Sequence, residues 1–162
     1  MRYAVAPSPL GDIILAGEDA ITYVAFADSH KAAHLGLEWA RDDGAFRAAA
    51  EQLRAYFAAE LTRFDLELDL RGTEFQRRVW QKLLTIPFGK TTTYGRIAEE
   101  LGDPKAVRAV GLANGRNPIS IIVPCHRVVG ADGSLTGYGG GLHRKQWLLA
   151  HERGLGQVPL AW

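Results

Sequence analysis

Cys125 and His126 stand side by side, directly after the apolar run Ile119-Ser120-Ile121-Ile122-Val123 and the element-ending Pro124. A free thiol is only a few per cent thiolate at neutral pH, so nucleophilic work needs a base or a positive neighbourhood, and His126 and Arg127 offer one of each. Further along, Glu152 follows His151 and is a carboxylate able to orient a histidine as the third member of a relay. The set suits a cysteine nucleophile activated by an adjacent base.

Three other readings compete on spacing alone. A zinc site needs four Cys or His ligands at set intervals, and Cys125 with His126, His143 and His151 shows no such pattern. A thiol hydrolase is open to the same residues, although adjacent Cys and His usually point different ways and no protease signature surrounds them. The third is a buried cysteine packed as a small hydrophobe beside a chance histidine. As the only cysteine, Cys125 makes no internal disulfide, which fits a reducing, cytoplasmic setting.

The elements that must position these residues fall into two groups. In the first, Ile13–Ala16 and Ile21–Phe26 flank Gly17-Glu18-Asp19 and predict a hairpin over 11–27. Residues 45–61 predict a helix with Phe46, Ala49, Ala50, Leu53, Tyr56, Phe57 and Leu61 on one stripe, and 64–70 alternates apolar and acidic residues like a strand with one wet face. After Gly72, Thr73 and Gln76 form a capping box that opens a helix carrying Phe75, Val79, Trp80, Leu83 and Leu84, ended by Pro87-Phe88-Gly89. A short helix follows with Tyr94, Ile97, Ala98 and Leu101, then a Gly102-Asp103 turn. A second helix is expected from about Pro104 to Asn114, with Asp103 as cap and Lys105 and Arg108 on one face. Two short helices across such a turn suggest helix-turn-helix. The small residues of the second helix would let its backbone press against a groove, with a long cation projecting from it. A last helical segment begins near Leu142 and carries Glu152, and 119–123 reads as a buried strand.

Charge separates the same two groups. The 162 residues hold 19 Lys/Arg and 18 Asp/Glu, but residues 1–70 hold 6 and 12, a balance of −6, and residues 71–162 hold 13 and 6, a balance of +7. A basic second half on a neutral chain points to a polyanion partner. With 47% hydrophobic residues and no apolar run near the roughly 18 that a span requires, neither disorder nor a membrane protein is expected. Met1-Arg2-Tyr3 leads into Pro7 and Pro9 without the apolar core of a secretory signal.

The run Asn117-Pro118-Ile119-Ser120-Ile121-Ile122-Val123-Pro124-Cys125-His126-Arg127-Val128 resembles the active-site segment of the O6-alkylguanine-DNA alkyltransferases, the methylated-DNA–protein-cysteine methyltransferase family. Gly72-Thr73-Glu74-Phe75-Gln76, Ile86–Gly89, Thr93-Tyr94-Gly95, Arg108–Gly111, Gly137-Tyr138 and Leu148-Leu149 with Glu152 match in family order. The likeness is dense over 72–153 and in outline before it.

The resemblance implies an α/β N-terminal ribonuclease-H-like domain over 1–71, a mostly α C-terminal winged-helix-like (helix-turn-helix) domain over 72–155, and a tail over 156–162. It implies transfer of an alkyl group from O6 of guanine, or O4 of thymine, in DNA to Cys125, once and irreversibly, since a thioether is a poor leaving group. His126 takes the thiol proton through a water, Glu152 holds His126, Tyr94 donates toward the purine, and Asn117 braces the active-site segment against the binding helix. The binding helix enters the minor groove of double-stranded DNA and Arg108 fills the gap left by the extruded nucleotide. DNA contacts are expected from Thr93, Lys105, Ala109, Gly111, Ala113 and Arg116, and a base pocket from Val128, Tyr138, Gly139 and Trp147. Gly139 stands where the family often has a serine. Neither metal nor diffusible cofactor is implied, and the expected form is a monomer. A lesion-binding module without transfer is the alternative.

Overall fold

The computed structural model describes residues 1–29, 31–32 and 39–154. It divides into two compact units, Met1–Leu70 with Pro118–Ser120, and Arg71–Asn117 with the described residues from Ile121 onward. The expected tail at 156–162 and residue 155 lie outside the described residues.

Among the described residues, the first unit holds a four-stranded sheet and one α-helix. Strands β1 (Arg2–Ala6), β2 (Ile13–Gly17), β3 (Ile21–Phe26) and β4 (Ala40–Arg41) lie in the order β3-β2-β1-β4. The predicted hairpin is β2–β3, with Ile13 opposite Phe26 and Leu15 opposite Val24; β1 adds antiparallel to β2, and β4 parallel to β1. All five residues of β2 are buried, which is why its sequence is apolar throughout instead of alternating. Helix α1 (Arg47–Phe57) buries Ala49, Leu53 and Tyr56 from the predicted stripe.

Two strands expected from the sequence do not form. Over 64–70 the chain makes one bridge, Leu68 with Ile21, through Ile21 N–H to the Glu67 carbonyl (3.0 Å) and Asp69 N–H to the Ile21 carbonyl (2.8 Å). Alternation there marks a half-wet extended segment without a ladder. Over 119–123 only Ile119 bridges, to Val24, with Val24 N–H on the Pro118 carbonyl (2.9 Å) and Ser120 N–H on the Val24 carbonyl (3.0 Å). Ile121 then takes φ 71°, which ends any extended run. The segment is buried as its composition demands, but as a turn.

The second unit is mostly helical. Helix α2 (Glu74–Leu83) opens on the predicted capping box: the Thr73 hydroxyl accepts from Gln76 N–H (3.1 Å), and the Gln76 side chain accepts from Thr73 N–H (2.9 Å). It buries Val79, Trp80 and Leu83. A Cβ on Gly72 would sit 2.5 Å from the Trp80 ring, so only glycine fits there. Strand β5 (Thr92–Thr93) pairs in parallel with β6 (Val128–Val129), and the Thr93 hydroxyl caps α3 (Tyr94–Glu100) by accepting from Arg96 N–H (3.1 Å).

Helix α4 (Val107–Gly115) begins later than its sequence suggests. Asp103–Ala106 closes as a separate turn, with Ala106 N–H on the Asp103 carbonyl (3.0 Å), and the helix has no side-chain cap. Lys105 therefore belongs to that turn and shares no helical face with Arg108. Helix α5 (Leu142–Glu152) matches its expected range. Among the described residues no helix is long and apolar enough to cross a membrane.

Candidate active site

Pro124 has φ −82° and ψ 65°, and Cys125 N–H reaches back to the Val123 carbonyl at 2.8 Å. That is an inverse γ-turn centred on a residue whose ring already fixes φ. Arg127 N–H then bonds the Pro124 carbonyl (3.0 Å), making Cys125–Arg127 a single 3-10 turn. Two buried amides hold this bend from inside. Asn117 donates to the Val123 carbonyl (2.8 Å) and Asn114, on α4, to the Cys125 carbonyl (3.4 Å). Ile121 is β-branched in a left-handed conformation, a strain of about 1–3 kcal/mol that its fully buried surroundings must hold in place. Cys125 itself is 3% exposed.

His126 is fully buried, and its Nε2 lies 2.7 Å from Glu152 Oε2. Glu152 also accepts from Arg127, at 2.7 Å from Nε and 3.1 Å from Nη2, while Arg127 Nη1 donates to the Ile86 carbonyl (2.6 Å). Arg127 lies over the Phe88 ring, 5.8 Å from its centroid. Gly89, at φ 79°, passes so close that a Cβ would meet the Glu152 carbonyl oxygen at 3.1 Å. Burial alone would raise the Glu152 carboxyl, but the hydrogen bonds and charges of His126 and Arg127 outweigh it and hold it well below the usual carboxylate range. Burial also dominates at His126 and pushes the imidazole below its ordinary value, with Glu152 opposing and Arg127 and Lys145 assisting. The pair at neutral pH is thus a neutral imidazole on a carboxylate. Nε2 must carry the proton it gives to Glu152, so Nδ1 is a bare acceptor, and it is buried without a partner among the described residues.

Two cations of α5 complete the site, and both escape a reading that treats charge as surface. Lys145 is fully buried and donates to the carbonyls of Val128 (2.7 Å) and Thr136 (3.1 Å). Burial lowers its pKa, and the nearby Cys125 sulfur partly offsets that by favouring the ammonium. Arg144, also buried, donates to the Gly140 carbonyl (3.1 Å). The segment 136–141 is stitched to α5 by these bonds. For Lys145 a signal was available: Lys145, Leu148, Leu149 and Glu152 recur at i, i+3, i+4 and i+7, which puts Lys145 and Glu152 on the apolar stripe.

The remaining expected residues are placed as follows. Tyr94 opens α3 and its hydroxyl lies 2.6 Å from the Thr136 hydroxyl. Val128 is buried in β6, facing the site through its carbonyl bond to Lys145. Tyr138 and Gly139 lie in the turn closed by Gly141 N–H on the Tyr138 carbonyl (2.9 Å). Trp147 is half-buried and stacks on His151, ring centroids 4.9 Å apart and planes 17° from parallel. On and around α4, Lys105, Arg108, Ala109 and Arg116 are exposed and Gly111 is half-buried. Ala113 is not on that face: it is buried, and its carbonyl accepts from the Trp80 indole N–H (2.8 Å). Its small side chain serves packing against α2. Thr93 uses its hydroxyl as the α3 cap.

The chain matches the ribonuclease-like domain of the 6-O-methylguanine DNA methyltransferases over residues 1–70 and their DNA binding domain over residues 74–154. It is 59% identical over 155 residues to a methylated-DNA–protein-cysteine methyltransferase of Mycolicibacterium paratuberculosis, covering 94% of this chain and 93% of that one. The Methanosarcina acetivorans protein of the same name is 54% identical over 153 residues, covering 94% and 98%. Among solved structures, Mycobacterium tuberculosis OGT in complex with DNA superposes with a TM-score of 0.91 at 53% identity, covering 98% of this chain and 96% of that one.

Proposed function

The chain belongs to the 6-O-methylguanine DNA methyltransferase family, and from that premise we infer how its own residues carry out the repair of alkylated DNA. The protein transfers an alkyl group from O6 of guanine in DNA to its single cysteine. Cys125 sulfur forms the new bond to the alkyl carbon as the carbon–O6 bond breaks, and the bond's electron pair stays with the purine. The thiol proton leaves through a water to Nδ1 of His126; the purine anion takes one proton at N1 from solvent and His126 returns its own to solvent, so guanine is restored and the protons balance. The thioether has no leaving group to lose to water, and each molecule acts once.

The observation that carries this assignment of roles is the buried Glu152–His126 pair, which leaves one imidazole nitrogen bare in the residue next to the nucleophile. Asn117 and Asn114 brace the bend that presents Cys125. Tyr94 donates toward the leaving purine, and the turn holding Tyr138 and Gly139, with Val128, lines the base pocket. Thymine O4 is a second substrate in this reading.

The base leaves the duplex because its O6 substituent is out of a nucleophile's reach inside the stack. Exposed Arg108, flanked by Ala109 and Gly111, enters the minor groove from α4 and fills the gap, with Lys105, Arg116 and Thr93 beside the phosphates. Helices α3 and α4 then form the helix-turn-helix of a winged-helix-like unit, and the N-terminal unit is of the ribonuclease-H type. The protein works as a monomer in the cytoplasm, with no cofactor.

The test uses duplex DNA bearing radiolabelled O6-methylguanine with the intact chain and a Cys125→Ala variant. Label should move to the intact chain and stop at one equivalent, while the variant keeps lesion binding and takes no label. Label on the variant, or repeated turnover, would overturn the reading.

A further inference from the structure

Tyr94 has one hydroxyl proton, and if it is to point at the purine the phenol oxygen must be steered by something else. Among the described residues its hydroxyl pairs with that of Thr136, 2.6 Å away. Thr136 is exposed and lies in a loop, a setting in which a hydroxyl would ordinarily turn to water. Its backbone, however, is pinned: the Thr136 carbonyl accepts from the buried Lys145 ammonium at 3.1 Å, and the same ammonium holds the Val128 carbonyl at 2.7 Å, three residues beyond Cys125. The backbone that carries the Thr136 hydroxyl is therefore held by the same ammonium that holds Val128 beside the active-site turn.

We propose that Thr136 is a positioning residue for alkyl transfer: its hydroxyl donates to the Tyr94 oxygen, which turns the Tyr94 proton outward to the departing purine. As the carbon–O6 bond breaks, negative charge spreads onto the purine and the hydrogen bond from Tyr94 strengthens. A phenol that already accepts a hydrogen bond is a better donor, because bonds in a chain polarise one another. Thr136 thus acts through Tyr94 and touches no reacting atom. This rests on the role given to Tyr94 above, so the two must be separable.

The experiment measures the rate constant for single-turnover transfer from duplex O6-methylguanine, with protein in excess, for the intact chain and for Thr136→Val, Thr136→Ser, Tyr94→Phe and the double variant Tyr94→Phe/Thr136→Val. Thr136→Val, which keeps shape and loses the hydroxyl, should slow transfer about five- to tenfold, the worth of one ordinary hydrogen bond. Thr136→Ser should recover to within about twofold, and Thr136→Val should cost nothing further once Tyr94→Phe is present. Thr136→Ala, expected to behave as the valine variant, guards against a disturbed loop. If Tyr94→Phe is slow while Thr136→Val and Thr136→Ala run at the intact rate, or their loss persists undiminished in the double variant, the Thr136 proposal is overturned and the Tyr94 role stands. If Tyr94→Phe itself runs at the intact rate, the Tyr94 role falls and this proposal with it.

Discussion

Replacing Glu152 by Gln keeps the side chain's shape and removes its charge at the centre of the site. The carboxylate is 1% exposed and accepts hydrogen bonds at 2.7 Å from His126 and at 2.7 and 3.1 Å from Arg127. An amide oxygen can keep at most part of this set, and the Arg127 guanidinium is left buried without its counter-charge. Breaking a buried pair from one side costs about 3–5 kcal/mol, which for a chain of this size lowers the melting temperature by on the order of 10 °C. The effect on chemistry is separate. Without a carboxylate to demand the Nε2 proton, His126 loses the tautomer that leaves Nδ1 bare, and loss of an orienting carboxylate costs about a hundredfold or more in rate. Thermal unfolding gives the first number and single-turnover transfer, measured well below the variant's melting point, gives the second. A folded Glu152→Gln protein that transfers at the intact rate would refute the assignment of His126 as base.

The pH dependence follows from the same pair. His126 is pushed below its ordinary value of 6.5 and Glu152 below 4.5, so the unfolded chain binds protons that the folded chain refuses. Stability from these groups is complete above pH 6.5 and falls as the pH drops, first through His126 and then through Glu152; urea unfolding from pH 8 to 4 should show it, and rising stability toward acid would contradict it. Transfer should keep its rate below pH 6.5, with the acid limb displaced downward, whereas a limb at or above 6.5 would argue against a depressed imidazole base. Arg108→Ala should slow repair of duplex DNA about tenfold or more and change reaction with free O6-benzylguanine less than about twofold, because only the duplex has a gap to fill; equal losses would contradict that role. Gly111→Ala meets only the Tyr94 ring, at 3.8 Å, so the helix should gain about 0.5–1 kcal/mol while affinity for duplex falls. Unchanged affinity would remove Gly111 from the groove-facing set.

The features legible in the sequence were those with local causes. The Thr73/Gln76 box, the β2–β3 hairpin and the helix ending at Glu152 each rest on neighbours a few residues apart, and each forms. Cys125, His126 and Glu152 could be named, and the structure brings the last two together. What stayed hidden depends on tertiary partners. Ile121 has the composition of a strand, and nothing local announces φ 71°. Pro104 suits a helix start, yet the chain spends that turn on Asp103–Ala106 and begins α4 later. Lys145, Asn114 and Thr136 draw no expectation because the carbonyls and hydroxyl they meet are distant in sequence. The resemblance puts Ala113 among the DNA contacts; its buried position depends on Trp80, whose indole N–H bonds the Ala113 carbonyl and lies 33 residues away.

The most direct test of the central claim is the mass of the peptide containing Cys125 after the intact protein meets an excess of duplex DNA carrying O6-methylguanine. This peptide should gain one methyl group, carried on sulfur, and the guanine restored in the DNA should equal the protein added. An unmodified Cys125 beside repaired DNA, or repair continuing past one equivalent, would contradict that claim.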